Sequence, residues 1–163
     1  MDTIILTNEQ ILHKTKRIAY QILESNINDD EVVLAGICGN GFIFAKKIEK
    51  SLNQISDIKV TLCEVKIDKR NPLSKITTSI EKSDYENKSL VLVDDVLSSG
   101  TTLMYGVKHF LDVQLTRFKT AILVNRNHKK YPVKADFKGI SLSTSILEHI
   151  QVEFGEKSVA YLQ

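Results

Sequence analysis

The sequence LVLVDDVLSSGTTL, at residues 90–103, decides the fold because it joins an apolar run, two acids and a loop of small polar residues. A continuous apolar run is typical of a parallel strand that is buried on both faces. The acids Asp94 and Asp95 then fall where this strand is expected to end, at the sheet edge that binds ligands in open α/β folds. The small residues that follow allow backbone N–H groups to surround an anion where the next helix begins. The stretch predicts a site for a ligand with hydroxyl groups or a metal at one end and a phosphate at the other.

Length and composition predict one globular domain spanning residues 1–163, with a hydrophobic share of 42% that is ordinary for a chain with a core. A net charge of +2 is too small to indicate nucleic-acid binding by itself. Cys38 and Cys63 are too few for a disulfide framework or a zinc site, and we expect reduced, buried thiols in a cytoplasmic protein. The sequence contains neither a recognisable signal peptide nor an apolar run of about 18 residues, so no membrane association is expected.

Strand and helix patterns alternate through the middle of the chain. Thr7 and Gln10 have the spacing of a capping box before a helix with an apolar stripe. Further helices are predicted at residues 42–48 and 102–111, and strands at residues 32–37, 59–66, 90–93, 118–124, 137–140, 151–154 and 159–162. Alternation of this kind predicts an α/β fold with a doubly wound parallel sheet.

Two loops could add to the site at residues 90–103. Gly39 and Gly41 could form a second anion loop, although an ordinary tight turn explains these glycines equally well. No Lys-Ser/Thr pair follows them, so this turn is not a Walker A loop. The polar excursion at residues 67–88 includes a possible β-arm at residues 76–80 and a charged turn after it. Such an excursion is either a lid or a solvated hairpin, and Arg70 is the cation that could cover a polyphosphate.

The acid pair has three chemical interpretations. A Walker B magnesium site lacks the Walker A loop that would accompany it. A phosphoacceptor-type metal cluster needs further acids and a lysine at other strand ends, and the sequence does not place them. In a sugar-diol site the carboxylates accept hydrogen bonds from two adjacent hydroxyls, and the hydroxyl-rich loop after the acids favours this third interpretation. The four histidines show no ligand spacing, and only His128 lies near a candidate site.

Residues 91–102, with the sequence VLVDDVLSSGTT, resemble the phosphoribosyl-pyrophosphate (PRPP) motif of type I phosphoribosyltransferases, including the spacing from the acid pair to the Gly-x-Thr. Similarity continues at residues 33–48, 73–75, 122–137, 143–145 and 159–160. These segments resemble the branch that contains the pyrimidine-operon attenuation regulator with uracil phosphoribosyltransferase activity. The resemblance covers nearly the whole chain. It implies a type I phosphoribosyltransferase fold with a small C-terminal hood and a flexible β-arm.

The resemblance also implies a role for each candidate residue. Asp94 and Asp95 would hold the ribose hydroxyls, and Arg70 from the lid would be the third catalytic residue. The other substrate-binding residues would be Val96 and Leu97, then Ser98, Ser99, Gly100, Thr101 and Thr102 around the 5′-phosphate, Gly39, Asn40 and Gly41 facing the pyrophosphate, and Asn125 and Arg126 beside the base. No metal ligand is assigned to the protein, because the family uses Mg²⁺ carried by PRPP. The implied reaction transfers ribose-5-phosphate to a pyrimidine base, with uracil as the expected acceptor and UMP and pyrophosphate as products.

The loops around the site depart from that branch. Gly39-Asn40 stands where the branch carries Thr-Arg, Ser98 and Thr101 stand where it carries tyrosine and arginine, and Asn125 and Asn127 replace an aspartate and a glycine. Lys46, Lys47 and Lys69 could supply charge instead. An alternative function is therefore kept open, that of a nucleotide-sensing, RNA-binding regulator of pyrimidine genes with little or no catalysis. Its candidate cations are Lys14, Lys16, Arg17, Lys129, Lys130 and Lys134, and the resemblance implies a homodimer in either case.

Overall fold

The computed structural model of the protein describes residues 2–126, 128–145 and 147–163. Its elements are β1 (Thr3–Leu6), α1 (Asn8–Ser25), β2 (Glu31–Ile37), α2 (Asn40–Ile55), β3 (Lys59–Lys66), β4 (Thr77–Thr78), α3 (Lys82–Tyr85), β5 (Ser89–Leu97), α4 (Thr101–Phe110), β6 (Arg117–Arg126), β7 (Phe137–Leu142), β8 (Ile150–Glu153) and β9 (Val159–Leu162). None of the helices in these ranges is both long and apolar enough to cross a membrane.

The central sheet has six strands in the order β4-β3-β2-β5-β6-β7. Every neighbouring pair from β3 to β7 is parallel, and only β4 runs antiparallel to its neighbour β3. The chain passes from β2 to β3 through α2, and from β5 to β6 through α4 in the opposite direction across the sheet. The predicted α/β fold with a doubly wound parallel sheet is therefore confirmed.

Two apolar layers enclose this sheet because successive side chains of a strand point to opposite faces. Val32 and Leu34 of β2 pack in the core with α1 and α2, represented by Ile18 and Phe44. Residues from the opposite face pack in a second core with α3 and α4: Val33, Ala35, Leu90, Leu92, Tyr85, Leu103 and Phe110. The strands between the two layers are buried on both faces, which explains their continuous apolar sequences.

A second, three-stranded sheet has the order β1-β9-β8, and we call it the hood. Both of its pairings are antiparallel, and Thr3 lies opposite Leu162. The sequence predicted the two C-terminal strands of this element but not β1, since a four-residue strand with two exposed residues gives a weak pattern. The hood therefore combines the first and last strands of the described chain.

Two predictions about strand ends need correction. The acids were expected just beyond the end of a strand, but β5 continues past them to Leu97. Asn125 and Arg126 were expected in a loop and are instead the last residues of β6, where they pair with Ser141 and Leu142 of β7. The registers with neighbouring strands extend each strand over polar residues that a hydrophobicity pattern does not recognise.

The excursion at residues 67–88 also differs from its prediction. The possible β-arm at residues 76–80 contains only the two-residue strand β4, and the charged turn after it contains the one-turn helix α3. Tyr85 at the end of α3 is buried against Phe110, with the ring centroids 5.1 Å apart. Cys63 is buried as expected, whereas Cys38 is only half-buried. The prediction for Asn127 lies outside the described residues.

Candidate functional site

A cavity of about 290 Å³ opens beside the carboxyl end of β5. This position is next to the boundary between β2 and β5, where the direction of winding reverses, and such a switch point is where open α/β sheets bind ligands. The residues that line the cavity are Lys69, Asp94, Asp95, Val96, Leu97, Ser98, Ser99, Gly100, Thr101, Thr102, Leu103 and Ile150. All of the residues from Asp94 to Thr102 that were predicted to bind substrate are therefore brought together here.

Residues Ser98–Thr102 join β5 to the first turn of α4 and are shaped to receive an anion. We call this segment the anion loop. Gly100 has a φ of 85°, in the left-handed region that favours glycine, and it precedes the first residue of α4. The Ser99 and Thr101 hydroxyl oxygens lie 3.0 Å apart, and the Thr101 N–H donates to the Ser99 hydroxyl. The positive end of α4 and several hydroxyl groups thus face the same small volume, as in the phosphate sites of other helix N-termini.

A neighbouring loop supports this anion loop from outside. The backbone N–H groups of Lys130 and Tyr131 donate to the Ser99 carbonyl, at 2.7 and 3.2 Å. Val133 lies so close to Gly100 that a Cβ at that glycine would come within 2.7 Å of the Val133 Cγ1 atom. Glycine is therefore required at position 100 for two reasons, the backbone conformation and the lack of space.

The acid pair is held by backbone donors and by one side chain. Asp94 is only 4% exposed, and its Oδ1 accepts a hydrogen bond of 2.9 Å from the Asp95 N–H. The Oδ1 of Asp95 accepts from the Val96 N–H at 2.8 Å, and its Oδ2 accepts from the Asn40 side-chain amide at 3.0 Å. Both carboxyl groups are thus oriented before a ligand arrives.

Burial gives Asp94 unusual acid–base properties. The pKa of the Asp94 carboxyl is raised to about 8, mainly because burial removes it from water and also because a second negative charge beside the Asp95 carboxylate is unfavourable. The Lys69 ammonium, which lines the same cavity, acts in the opposite direction and lowers the pKa. Asp94 therefore retains its proton near neutral pH and can donate a hydrogen bond to a ligand oxygen as well as accept one.

The turn between β2 and α2 brings a second element up to the acid pair. Gly39 has a φ of 83° and directly precedes α2. Gly41 allows α2 to approach β5, since a Cβ there would lie 2.9 Å from both Asp94 Oδ1 and the Val93 carbonyl oxygen. Asn40, between the two glycines, donates to Asp95 and also to the Val152 carbonyl of the hood, at 2.8 Å. The turn therefore contacts the acid pair, although none of these three residues lines the cavity itself.

Arg126, at the end of β6, joins the anion loop to the loop after β7. It is 6% exposed, and its guanidinium donates to the Ser98 hydroxyl at 3.2 Å, to the Thr144 hydroxyl and to the Ser145 carbonyl. His128 Nε2 contacts the Thr144 carbonyl. Arg126 is thus placed beside the cavity wall and fixes the distance between two of the loops around it.

Asn125 and Arg70 are placed differently from the acid pair. The Asn125 amide donates to the Ser141 hydroxyl at 3.2 Å, and its Oδ1 is buried without a hydrogen-bond partner among the described residues. Arg70 is exposed, its backbone N–H donates to Asp68, and it does not line the cavity. Lys69, the residue before Arg70 in the same excursion, does line the cavity. The assignment of Arg70 to a lid over the pyrophosphate stays a prediction.

Two lining residues, Leu103 and Ile150, were not among the sequence candidates. The position of Leu103 directly after the anion loop could have predicted that it lines the cavity. Ile150 lies in β8 of the hood, far along the chain from β5, and no spacing in the sequence links it to the acids. Only the packing of the hood shows this contact.

An acid pair at the switch point of an α/β sheet, followed by an anion loop at a helix N-terminus, suits a ligand with adjacent hydroxyls and a phosphate. The phosphoribosyl transferase domain family matches residues 2–157, and the chain belongs to that family. The resemblance described from the sequence is therefore confirmed.

Relatives in two bacteria are similar over most of their length. The bifunctional protein PyrR of Streptococcus agalactiae is 34% identical over 143 residues, which covers 86% of this chain and 83% of that protein. PyrR of Haemophilus ducreyi is 32% identical over 160 residues, covering 93% and 89% of the two chains. The similarity to the branch predicted from the sequence thus extends across the site.

Solved structures with the same fold have lower sequence identity. A hypoxanthine-guanine phosphoribosyltransferase from Bacillus anthracis has a TM-score of 0.73 at 20% identity, covering 86% of this chain and 82% of that one. The hypoxanthine phosphoribosyltransferase of Trypanosoma cruzi, in complex with IMP, has a TM-score of 0.75 at 16% identity, covering 88% and 81%. These similarities establish the fold.

Proposed function

We propose that this chain transfers ribose-5-phosphate from PRPP to a pyrimidine base, with uracil as the expected acceptor and UMP and pyrophosphate as the products. The observation that carries the proposal is the single cavity that contains both the acid pair and the anion loop. A ligand that fits it has adjacent hydroxyls at one end and a phosphate at the other, which describes ribose-5-phosphate. The choice of a pyrimidine rests on the resemblance of the sequence.

Each part of the cavity has a role in this reaction. The loop at Ser98–Thr102 would bind the 5′-phosphate through hydroxyls and backbone N–H groups. Asp94 and Asp95 would bind the two ribose hydroxyls. Each oxygen of the Asp95 carboxylate accepts one hydrogen bond within the protein, so further lone pairs remain for the ligand. Arg70 remains the predicted lid residue over the pyrophosphate.

The chemical step forms a bond from a ring nitrogen of the base to C1 of the ribose while the bond from C1 to the pyrophosphate oxygen breaks. The ring nitrogen loses its proton, which the departing pyrophosphate can accept, and positive charge develops on the sugar in the transition state. The protein contributes orientation of the two reactants, negative charge near the sugar and exclusion of water. The Asp95 carboxylate is placed for the second of these contributions, since it would lie against the ribose, whereas the protonated Asp94 would bind a ribose hydroxyl without adding charge.

Magnesium fits the donor atoms of this site. Mg²⁺ prefers oxygen ligands and usually binds to one or two carboxylates together with substrate phosphates, and the Asp95 carboxylate offers such oxygens. Among the described ranges, no group of three His, Cys, Asp or Glu side chains is arranged to hold a metal ion. We therefore propose that Mg²⁺ is bound jointly with PRPP, where it would neutralise charge on the leaving pyrophosphate.

Release of pyrophosphate from PRPP and Mg²⁺, measured with uracil, cytosine, hypoxanthine and guanine in turn, tests this function. Uracil is expected to give the fastest release. Asp95→Asn removes a charge from the cavity and should abolish turnover, whereas Asp57→Asn removes an exposed carboxyl beyond the cavity and should not. Turnover with a purine base but not with uracil would contradict the proposed acceptor, and no turnover with any base would contradict the enzymatic function.

A nucleotide-sensing, RNA-binding regulator is the second candidate, and the similarity to proteins named bifunctional favours keeping it. Lys16, Lys129, Lys130 and Lys134 are exposed and could contact phosphates, whereas Arg17 is hydrogen-bonded to the Gly139 carbonyl. A rise in melting temperature with UMP, without turnover, combined with salt-sensitive binding to a structured RNA leader would favour this candidate. A single domain, a homodimer and a cytoplasmic location remain predictions for both candidates.

A further inference from the structure

One face of α2 contacts the hood strand β8 and Phe154, the residue that follows it. Asn40, Phe44 and Lys47 have the spacing i, i+4 and i+7, so they lie along the same side of the helix. Phe44 stacks on Phe154, with the ring centroids 6.0 Å apart, and the Lys47 ammonium lies 5.3 Å from the Phe154 centroid. Asn40 completes the row by donating to the Val152 carbonyl at 2.8 Å.

Asn40 differs from the other two residues because it also reaches the acid pair. Its side-chain nitrogen is 3.0 Å from Asp95 Oδ2 and 2.8 Å from the Val152 carbonyl oxygen. A carboxamide nitrogen has two hydrogens, so it can donate to both acceptors at once. The bond to Asp95 is to a carboxylate and is therefore the stronger kind.

The strand that Asn40 holds is also a wall of the cavity. β8 begins at Ile150, and Ile150 lines the cavity together with Asp94 and Asp95. A single amide group therefore connects a carboxylate at the centre of the site to an apolar wall at its side. A change in the position of the Asp95 carboxylate can be transmitted to Ile150 through this amide and the backbone of β8.

We propose that Asn40 is a positioning residue that couples occupation of the acid pair to closure of the hood. A ribose hydroxyl bound to Asp95 fixes the carboxylate, the carboxylate fixes the amide, and the amide holds β8 so that Ile150 closes its side of the cavity. The inference rests on the proposed function, because it assumes that a ribose binds at Asp95. It adds a residue that relays binding without contacting the reacting atoms.

Hydrogen–deuterium exchange, measured on the full chain with and without PRPP and Mg²⁺, tests the coupling in two segments. The exchange rate of residues 97–103 measures ligand binding at the anion loop. The exchange rate of residues 149–154 measures how firmly the hood is held against the site. In the natural protein, PRPP is expected to slow exchange in both segments. In Asn40→Ala, exchange in residues 149–154 without ligand should be about fivefold faster, the effect of losing the neutral hydrogen bond to the Val152 carbonyl, and PRPP should then protect only residues 97–103. The apparent affinity for PRPP should fall by about tenfold, because the charge-assisted bond that orients Asp95 is lost as well.

Two further variants separate coupling from simple loosening of the hood. Phe154→Ala removes the stacking on Phe44 without touching Asp95, so hood exchange should rise while the slowing caused by PRPP is retained. Asn53→Ala changes an exposed asparagine on the same helix and should behave as the natural protein. If Asn40→Gln, which keeps the amide, restores the response to PRPP in part, the amide is the relaying group.

The outcomes distinguish the coupling from the proposed function. If PRPP still slows hood exchange in Asn40→Ala, or if hood exchange without ligand is the same as in the natural protein, the coupling is wrong while ribose-5-phosphate binding stands. If PRPP protects neither segment in the natural protein, the proposed function is wrong. In that case the ligand-free comparison of Asn40→Ala with Asn53→Ala still decides whether Asn40 holds the hood.

Discussion

Replacement of Asp94 by asparagine should make the protein more stable at alkaline pH while impairing its site. Burial raises the pKa of Asp94 from 3.8 to about 8. Between these values the folded protein keeps a proton that the unfolded chain releases, so the free energy of unfolding falls as pH rises. Above the folded pKa, the native state carries a buried carboxylate beside Asp95 and the cost is fully present. Asp94→Asn removes the ionisable group and should remove this pH dependence.

The magnitude follows from the difference in pKa. About four pH units at ~1.4 kcal/mol each give an upper bound of roughly 6 kcal/mol. A protein relaxes around a charge that forms in its interior, which reduces the cost of ionisation, so we expect Asp94→Asn to gain about 1–3 kcal/mol at about pH 8.5. At about pH 4, close to the unfolded pKa of 3.8, Asp94 is protonated in the folded protein and partly protonated in the unfolded chain, and the two proteins should differ by less than about 1 kcal/mol.

Urea unfolding at several pH values between about 4 and 9 measures this difference. Asp57→Asn removes an exposed carboxyl and serves as the control. Lys69→Met gives a second check, because the Lys69 ammonium lowers the pKa of Asp94 and its loss should extend the fall in stability to higher pH. Equal pH profiles for the natural protein and Asp94→Asn would refute the reasoning, as would a variant that is less stable at alkaline pH.

Two other substitutions test the anion loop and its support. Gly100→Ala should lower the free energy of unfolding by about 2 kcal/mol, since it imposes a side chain on a positive φ and brings a Cβ within 2.7 Å of Val133; Gly155→Ala, with no atom within 4 Å, should change it by less than about 0.5 kcal/mol in the same urea titration. Arg126→Lys keeps the charge but cannot span the three acceptors of the guanidinium, so calorimetry should show about tenfold weaker binding of PRPP, and an unchanged Kd would contradict the bracing role.

The order of the central elements was predictable because the core strands have strong local patterns. β2 and residues 90–93 of β5 are apolar runs between polar or turn residues, and the capping box at Thr7 and Gln10 forms as its spacing predicts. The strand ends were less predictable. β5 and β6 extend over polar residues because their neighbours in the sheet supply hydrogen-bond partners, and that information is not local.

In the candidate site, too, the features set by local sequence were predictable and those set by distant segments were not. The segment from Asp94 to Thr102 is contiguous, so its residues could be recognised together and they do line one cavity. Ile150 and the bonds of Asn40 depend on how the hood packs against α2. Contacts between distant segments are set by tertiary structure, and a single sequence carries no periodic signal for them.

The hood joins strands from opposite ends of the described chain, and this has a consequence for the order of folding. β1 and β9 pair Thr3 with Leu162, so this sheet closes a loop that contains almost the whole chain. Closing such a loop costs conformational entropy before the contacts between its ends can offset that cost. Contacts between residues far apart in the sequence therefore form slowly. The parallel sheet and the anion loop at Ser98–Thr102 should therefore assemble first, with the hood added afterwards. A transient form with an anion loop but no bond from Asn40 to Val152 is expected on the way to the native state.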